Sequence, residues 1–225
     1  MKPTHPLHSW DVSPAEAAAI QRELAARVIQ EGAIGEVRVV AGADAAFSPD
    51  GRTCIAGVVA WDATALQVIE QRVARRRVRF PYVPGLLSFR EGPALLSALR
   101  QLKCDPDVFL FDGQGRAHPR RLGMASHIGL WLDRPTIGCA KSLLVGEGRE
   151  PQKRKGLREF LTDNGETIGA IVRTRDGVRP LYVSVGHRVS LMTAVRITLR
   201  CCTQFRLPEP TRLADKLVSA RRKKS

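Results

Sequence analysis

Asp112 closes the apolar run Val108-Phe109-Leu110-Phe111 and opens the segment Gly113-Gln114-Gly115-Arg116-Ala117-His118-Pro119-Arg120-Arg121. Four consecutive large apolar side chains read as a short buried strand of a parallel sheet. A carboxylate where such a strand ends, facing a glycine-rich basic loop, sits where open α/β sheets gather their ligands. Buried alone, it needs a cationic partner, a metal or a raised pKa. A strand-end Asp can also do no more than form a turn with its side chain. Asp44 is harder to excuse. It lies within Val39-Val40-Ala41-Gly42-Ala43-Asp44-Ala45-Ala46-Phe47, a stretch almost free of polar side chains, and an acid in mid-strand is unfavourable by both propensity and burial. If the strand carrying Asp44 neighbours the one ending at Asp112, the two carboxylates could face one another and would repel. A divalent cation removes that conflict, and oxygen-only donors select Mg²⁺ or Mn²⁺.

Three further groups could join them. Glu91 closes Ser88-Phe89-Arg90-Glu91, which also has capping-box spacing, so it could instead satisfy a helix N-terminus. Asp215 falls in the expected first turn of the final helix, where an acid also favours the helix dipole. Lys141 follows an apolar strand in Gly138-Cys139-Ala140-Lys141-Ser142; it could hold an oxyanion or water, or be an ordinary surface lysine. His118 and His127 flank the basic loop without metal-ligand spacing and read as hydrogen-bonded structural residues. No phosphate-loop or Gly-x-Ser-x-Gly signature is present, which argues against nucleotide-dependent and serine-hydrolase chemistry.

The elements that must position these groups follow from punctuation and periodicity. Ser13-Pro14-Ala15-Glu16 is a capping box with proline at the first helical position, predicting a helix to about Gln30 that stops at Gly32. Strands are expected over 36–47, 53–62 and 65–79, joined by Ser48-Pro49-Asp50-Gly51 and by a short junction near Asp62, so the three form an antiparallel meander. Pro81 to Gly85 cannot be regular, with two prolines and a glycine close together. Beyond it come a helix over 89–102, strand 107–111, a helix over 122–133 and strand 135–139, the alternation of βαβ units. Residues 146–156 read as an exposed loop. Strands 167–174 and 180–185 flank the turn Arg175-Asp176-Gly177, and helices over 189–205 and 211–224 follow. Residues 221–225 read as a frayed basic tail.

Composition sets the outer bounds. A chain of 225 residues with 44% hydrophobic and 26% charged residues fits one soluble globular domain, 1–225. No apolar stretch approaches the ~20 residues of a membrane span, and Met1 to Trp10 lacks the apolar core of a secretory leader, so a cytoplasmic protein without a membrane partner is expected. Five cysteines without a Cys-x-x-Cys pair give no disulfide or zinc framework. The formal charge is +14 and 28 of the 36 cations are arginines, which favours an anionic polymer as partner, since the planar guanidinium suits phosphate. Arginines 72, 75, 76, 77 and 79 are either phosphate contacts or a solvated strand face.

Taken together, VAGADAAF, FPYVPGLLSFREGPALL, DVFLFDGQGRAHPRRLGMASHIGL, IGCAKSLL, YVSVGHRVSL and RLPEPTRLAD resemble the endonuclease V family, in its order and spacing, over about 39 to 215. The resemblance implies an α/β, ribonuclease H-like mixed sheet, three antiparallel strands followed by parallel strands, flanked by helices. It implies an endonuclease that nicks DNA at deoxyinosine, hydrolysing the second phosphodiester 3′ to the lesion, with Mg²⁺ as cofactor and Mn²⁺ as a substitute. Asp44 and Asp112 would hold the metal, with Glu91, Asp215 and Lys141 completing the catalytic set; some similar proteins carry His in place of Asp215. Pro81, Tyr82, Val83 and Pro84 match the family's wedge into the duplex, and Gly85, Leu87, Gly113 and His118 its pocket for the flipped base. Inosine-containing DNA is the expected partner, with single-stranded RNA open as a second, and a monomer the expected state. A branch-specific nuclease on the same scaffold and a non-catalytic nucleic-acid-binding protein are the competing readings; the clustered acids speak against the second, because binding DNA gains nothing from them.

Overall fold

In the computed structural model, which describes residues 6–32 and 34–223, one eight-stranded sheet carries the whole chain, with strand order β3-β2-β1-β4-β5-β8-β7-β6. The meander is as expected: β1 (Val39–Phe47), β2 (Thr53–Asp62) and β3 (Gln67–Arg77) are successive antiparallel partners. Helix α2 (Leu87–Leu99) leads to β4 (Val108–Phe111), which pairs in parallel with β1, and helix α3 (Met124–Leu132) leads to β5 (Thr136–Ala140), parallel to β4. The sheet therefore has the ribonuclease H-like order, antiparallel first and parallel next. It then turns antiparallel again: β6 (Arg158–Asp163), β7 (Glu166–Val172) and β8 (Leu181–His187) form a second meander whose last strand pairs with β5.

Residues alternate between two buried faces. On one, Ala41, Ala43, Phe109 and Phe111 pack with Leu95, Leu99 and Ile128 of α2 and α3. On the other, Val40, Val108, Leu110 and Ile137 pack with helix α4 (Leu191–Cys201) through Ala194, Val195 and Ile197. Helix α5 (Glu209–Arg222) covers β1 and β2 so closely that glycine is obligatory beneath it: a Cβ on Gly42 would lie 2.1 Å from the Pro210 carbonyl carbon, and one on Gly57 would lie 2.7 Å from Val218 Cγ1.

Several boundaries differ from the sequence reading. Helix α1 (Pro14–Ala25) has its capping box, with Ser13 N–H donating to Glu16 at 2.7 Å, but it ends five residues early. The Ile29 N–H donates to His187 Nδ1 at 3.2 Å and the Ile29 carbonyl accepts from Arg188 N–H at 2.7 Å, so docking onto β8 outweighs helical continuation. Strand β6 gave no signal because it is a polar edge strand on which only Leu161 is buried. The 146–156 segment is irregular as expected, and buried Arg173 ties it down by donating to the carbonyls of Pro151 (2.6 Å) and Gln152 (3.2 Å). Helix α5 runs through Arg222, two residues short of the expected end, so the cations at 221 and 222 sit at a helix C-terminus, where they are favourable. Residues 1–5, part of the segment read for a leader, and Lys224 and Ser225 of the basic tail lie outside the described residues. Among the described residues no helix is long and apolar enough to cross a membrane.

Candidate active site

The β1–β4 register decides where the acids meet. Ala43 pairs with Phe111 in parallel, so the next residue on each strand is a carboxylate, side by side at the strand spacing of about 4.8 Å. Asp44 shares a side of β1 with Gly42, two residues back, and therefore the side that α5 covers. Asp215 lies on that helix, and its charge acts on both Asp44 and Asp112. Its position corrects the sequence expectation: α5 begins at Glu209, so Asp215 is in the second turn and Glu209 is the acid of the first. Glu91 is corrected likewise. The α2 N-cap is Leu86 without a side-chain bond, and Ser88 Oγ is engaged with His127 Nδ1 at 2.8 Å, so no capping box exists. Glu91 instead sits within α2, coupled to Asp44 and Asp112. Lys141, directly after β5, pairs its ammonium with Asp112.

The electrostatics are those of charges held together against their preference. Burial, then the charge of Asp112, pushes the Asp44 carboxyl up to about 7. Burial, then Asp44 and Asp112, pushes Glu91 up to about 8. Asp112 is raised mainly by burial, with the Lys141 bond pulling the other way. Burial pulls the Lys141 ammonium down, but its bond to Asp112 and the neighbouring carboxylates outweigh this and hold it above its ordinary value. Among the described residues no three His, Cys, Asp or Glu side chains form a ready metal cage. A closed cage is not what Mg²⁺ uses: it is bound by one or two carboxylates plus water and substrate phosphate. Asp44 and Asp112, adjacent and charged only at a cost, fit that donor set.

Beside this centre is a cavity of about 460 Å³ whose lining includes Tyr82, Gly85, Asp112, Gly113, His118 and Lys141. Val83, Pro84 and Leu87 line it too, whereas Pro81 does not. Tyr82 projects into solvent at 72% exposure, large for an aromatic ring and held by a loop with prolines on both sides. Behind the loop, one carbonyl is pegged by three donors. Gly85 O accepts from Arg120 Nη2 at 2.8 Å, His118 Nε2 at 2.9 Å and Gln21 Nε2 at 3.1 Å. Gly85 has φ +77, and a Cβ there would meet Arg120 Nη2 at 2.7 Å, so only glycine suits both the turn and the clamp.

His118 is neutral in this arrangement. Its Nε2–H donates to Gly85, its Nδ1 accepts from Arg120 N–H at 3.2 Å, and burial followed by the Arg120 charge lowers it from 6.5 to about 4. A histidine depressed in the folded state is protonated first in the unfolded chain, so its contribution to stability is lost as pH falls from its unfolded value towards its folded one. Asp44 and Glu91 act oppositely over the same range. The expected result is therefore differential: in denaturant melts from about pH 7 to 4, wild type loses up to ~3 kcal/mol relative to its difference from His118→Gln at neutral pH. A pH-independent difference between the two proteins contradicts the assignment.

Three parts of the site escaped the sequence reading. Gln114, 8% exposed, lines the cavity and donates through Nε2 to Ser142 O at 3.0 Å, tying the Gly113 loop to the segment after β5. Leu143 and Leu144, each 48% exposed, line the cavity too; a pair of solvent-facing leucines two residues after Lys141 was the available signal. Gln21 on α1 was also missed, because a buried amide that acts on a loop 64 residues away leaves no local pattern.

The chain is similar to known proteins over nearly its whole length. The family model described as Endonuclease V matches residues 22–216. The Endonuclease V of Roseiflexus sp. (strain RS-1) is 52% identical over 210 residues, covering 93% of this chain and 94% of its own. The crystal structure of Endonuclease V from Streptomyces avermitilis superimposes with a TM-score of 0.91 at 40% identity, covering 100% of this chain and 99% of that one. Endonuclease V of Ciona intestinalis, solved in complex with a 24mer DNA containing an inosine followed by a ribo-adenosine, superimposes with a TM-score of 0.83 at 29% identity, covering 93% and 98% of the two chains.

Proposed function

The chain belongs to the endonuclease V family, an endonuclease hydrolysing DNA, and on that premise we propose that it recognises inosine in DNA and cuts the second phosphodiester 3′ to it, leaving 3′-OH and 5′-phosphate ends. The observation that carries this reading is the single cavity that brings Tyr82, the Gly85 clamp and the Asp112–Lys141 pair together. In this reading the whole chain, 1–225, works as one domain and as a monomer in the cytoplasm.

Asp44 and Asp112 would hold Mg²⁺, or Mn²⁺ in its place, which supplies when bound a Lewis acid and an activated water. Lys141 carries an ammonium to the scissile phosphate, where added negative charge is stabilised by a fixed cation. Glu91, its carboxyl near 8, holds a proton beside the pair, so the cluster does not carry every charge at once; Asp215 completes it from α5. Tyr82, stiffened by Pro81 and Pro84 with Val83 between them, fills the gap in the base stack at little cost in ordering entropy. The extruded base enters between Gly85, Leu87, Gly113 and His118. Hypoxanthine pairs weakly and is cheaper to extrude than a normal base, and the pocket rejects guanine through its additional amine.

Matched inosine-containing and undamaged oligonucleotides, as DNA and RNA, single- and double-stranded, incubated with Mg²⁺, Mn²⁺ or EDTA, test the whole proposal. Metal-dependent nicking confined to inosine strands is expected; cleavage of branched DNA without inosine, and none of inosine duplexes, would favour the structure-specific alternative. The ribo-adenosine beside the inosine in the Ciona complex favours including single-stranded RNA as a second substrate. The clamp makes its own prediction. Gln21→Glu keeps the size of the side chain but replaces the donor to Gly85 and Leu122, and loss of a buried hydrogen bond is worth ~1–2 kcal/mol. Binding of inosine DNA in EDTA should weaken about tenfold with undamaged DNA unaffected; equal weakening on both would assign Gln21 a general role in stability.

A further inference from the structure

The arginine run on β3 resolves into two classes. Arg72 pairs with Glu70 at 2.5 Å, Arg75 donates to Arg221 O at 3.2 Å, and Arg76 donates to Ser97 Oγ at 2.7 and 2.9 Å. The side chains of Arg77 and Arg79 make no hydrogen bond or ion pair among the described residues, nor does that of Arg100 beyond α2, and all three are exposed. These three arginines line one groove of about 520 Å³ with Arg76, Arg90 and Trp10, and among the described residues the single acid in its wall is Asp11. Five guanidiniums around one carboxylate repel each other, and the three without partners among the described residues are free to meet an anion from outside, which would relieve that repulsion.

We infer that this groove holds the sugar–phosphate backbone of the duplex flanking the lesion, an inference that rests on the proposed DNA substrate. The geometry favours a polymer over a small anion. Arg77 and Arg79 are two residues apart on an extended chain, about 6.7 Å, twice the ~3.4 Å axial spacing of charges on one DNA strand. Arg79 is three residues from Tyr82, at most ~10 Å of chain, or about three base-pair steps. The groove thus begins within a few nucleotides of the wedge and is lined by different residues of α2 from the base cavity, and Arg90, which donates to Phe80 O at 3.1 Å, braces the chain between the two. Such contacts set register and add affinity without reading sequence.

The test is the salt dependence of equilibrium binding in EDTA, measured on an inosine duplex and its undamaged counterpart. Each phosphate contact contributes about 0.9 to the log–log slope, so losing three makes affinity less salt-dependent by about 40-fold between ~50 and ~200 mM salt. Arg77→Ala/Arg79→Ala/Arg100→Ala is expected to show that flattening equally on both duplexes. The corresponding triple lysine variant should retain the slope. So should Arg149→Ala/Arg158→Ala/Arg175→Ala, which removes the same charge around the opposite edge of the sheet. An unchanged slope in the first variant, an equal change in the third, or an effect confined to the inosine duplex overturns the inference. A wild type that does not distinguish inosine from undamaged DNA would count against the proposed lesion recognition while leaving the slope comparison intact.

Discussion

Asp112→Ala is expected to bind inosine-containing DNA and to leave it uncut in Mg²⁺, with single-turnover nicking reduced by about 10³-fold or more. The size of the effect follows from how many features converge on that carboxylate. It is one of two adjacent acids able to share a divalent cation, it is the partner of the Lys141 ammonium, and it borders the cavity expected to receive the base. Removing it leaves Lys141 without the anion that fixes its position, so metal binding and phosphate stabilisation fail together. In the proposed reading recognition rests mainly elsewhere: the Tyr82 loop and the Gly85 clamp are built from α1, the 81–86 loop and the His118–Arg120 turn. Gel-shift and nicking assays on one labelled inosine duplex separate the two properties. Nicking at the wild-type rate removes Asp112 from the mechanism.

The second large effect has the opposite sign on stability. In EDTA at about pH 8, Asp44→Asn should be more stable than wild type by ~2 kcal/mol, although it cannot cut. The Asp44 carboxyl is raised from 3.8 to about 7 by burial first and by Asp112 second. A raised carboxyl is neutral at low pH and charges against its surroundings as pH rises, so its cost is absent near pH 4, grows through the interval and is complete above 7. Asparagine keeps an oxygen to accept the Ala45 N–H bond and never carries the charge. The advantage of the variant should therefore vanish near pH 4. Adding Mg²⁺ should stabilise wild type and not the variant, since a ligand stabilises only the state that binds it. Denaturant melts with and without Mg²⁺ measure both effects, and a variant less stable than wild type at pH 8 would contradict the account.

What could be read in the sequence divides by range. Asp44 and Asp112 were legible because each violates a local rule: an acid in mid-strand, and an acid closing a fully apolar strand. The meander and the βαβ alternation were legible from periodicity and turns. Glu91 and Asp215 were ambiguous because a helix-terminal acid has a sufficient local explanation, and only the true starts of α2 and α5, at Leu87 and Glu209, remove it. The end of α1 and the Gln21–Gly85 bond were not legible, because each is decided by a partner far away in the chain, and β6 was missed because a polar edge strand with one buried residue lacks an apolar alternation even though its partner β7 follows directly. The arginine run was visible as composition, but which cations the fold uses and which it leaves free depended on Glu70, Ser97 and Arg221.

The close seating of α5 over Gly42 and Gly57 has a consequence for the order of folding. The acids come from residues 44, 91, 112 and 215, on elements that span nearly the whole chain, and α5 follows every other element in sequence. Contacts between such distant segments form late, after the loop-closure entropy of the intervening chain has been overcome. The meander and parallel strands can pair before α5 arrives, but the acidic cluster is then missing one member and the face of β1 bearing Asp44 lies open to water. A partly synthesised or partly refolded chain therefore resembles the finished protein in its sheet while lacking its assembled centre. Assembly of the four acids thus waits on the last helix of the chain.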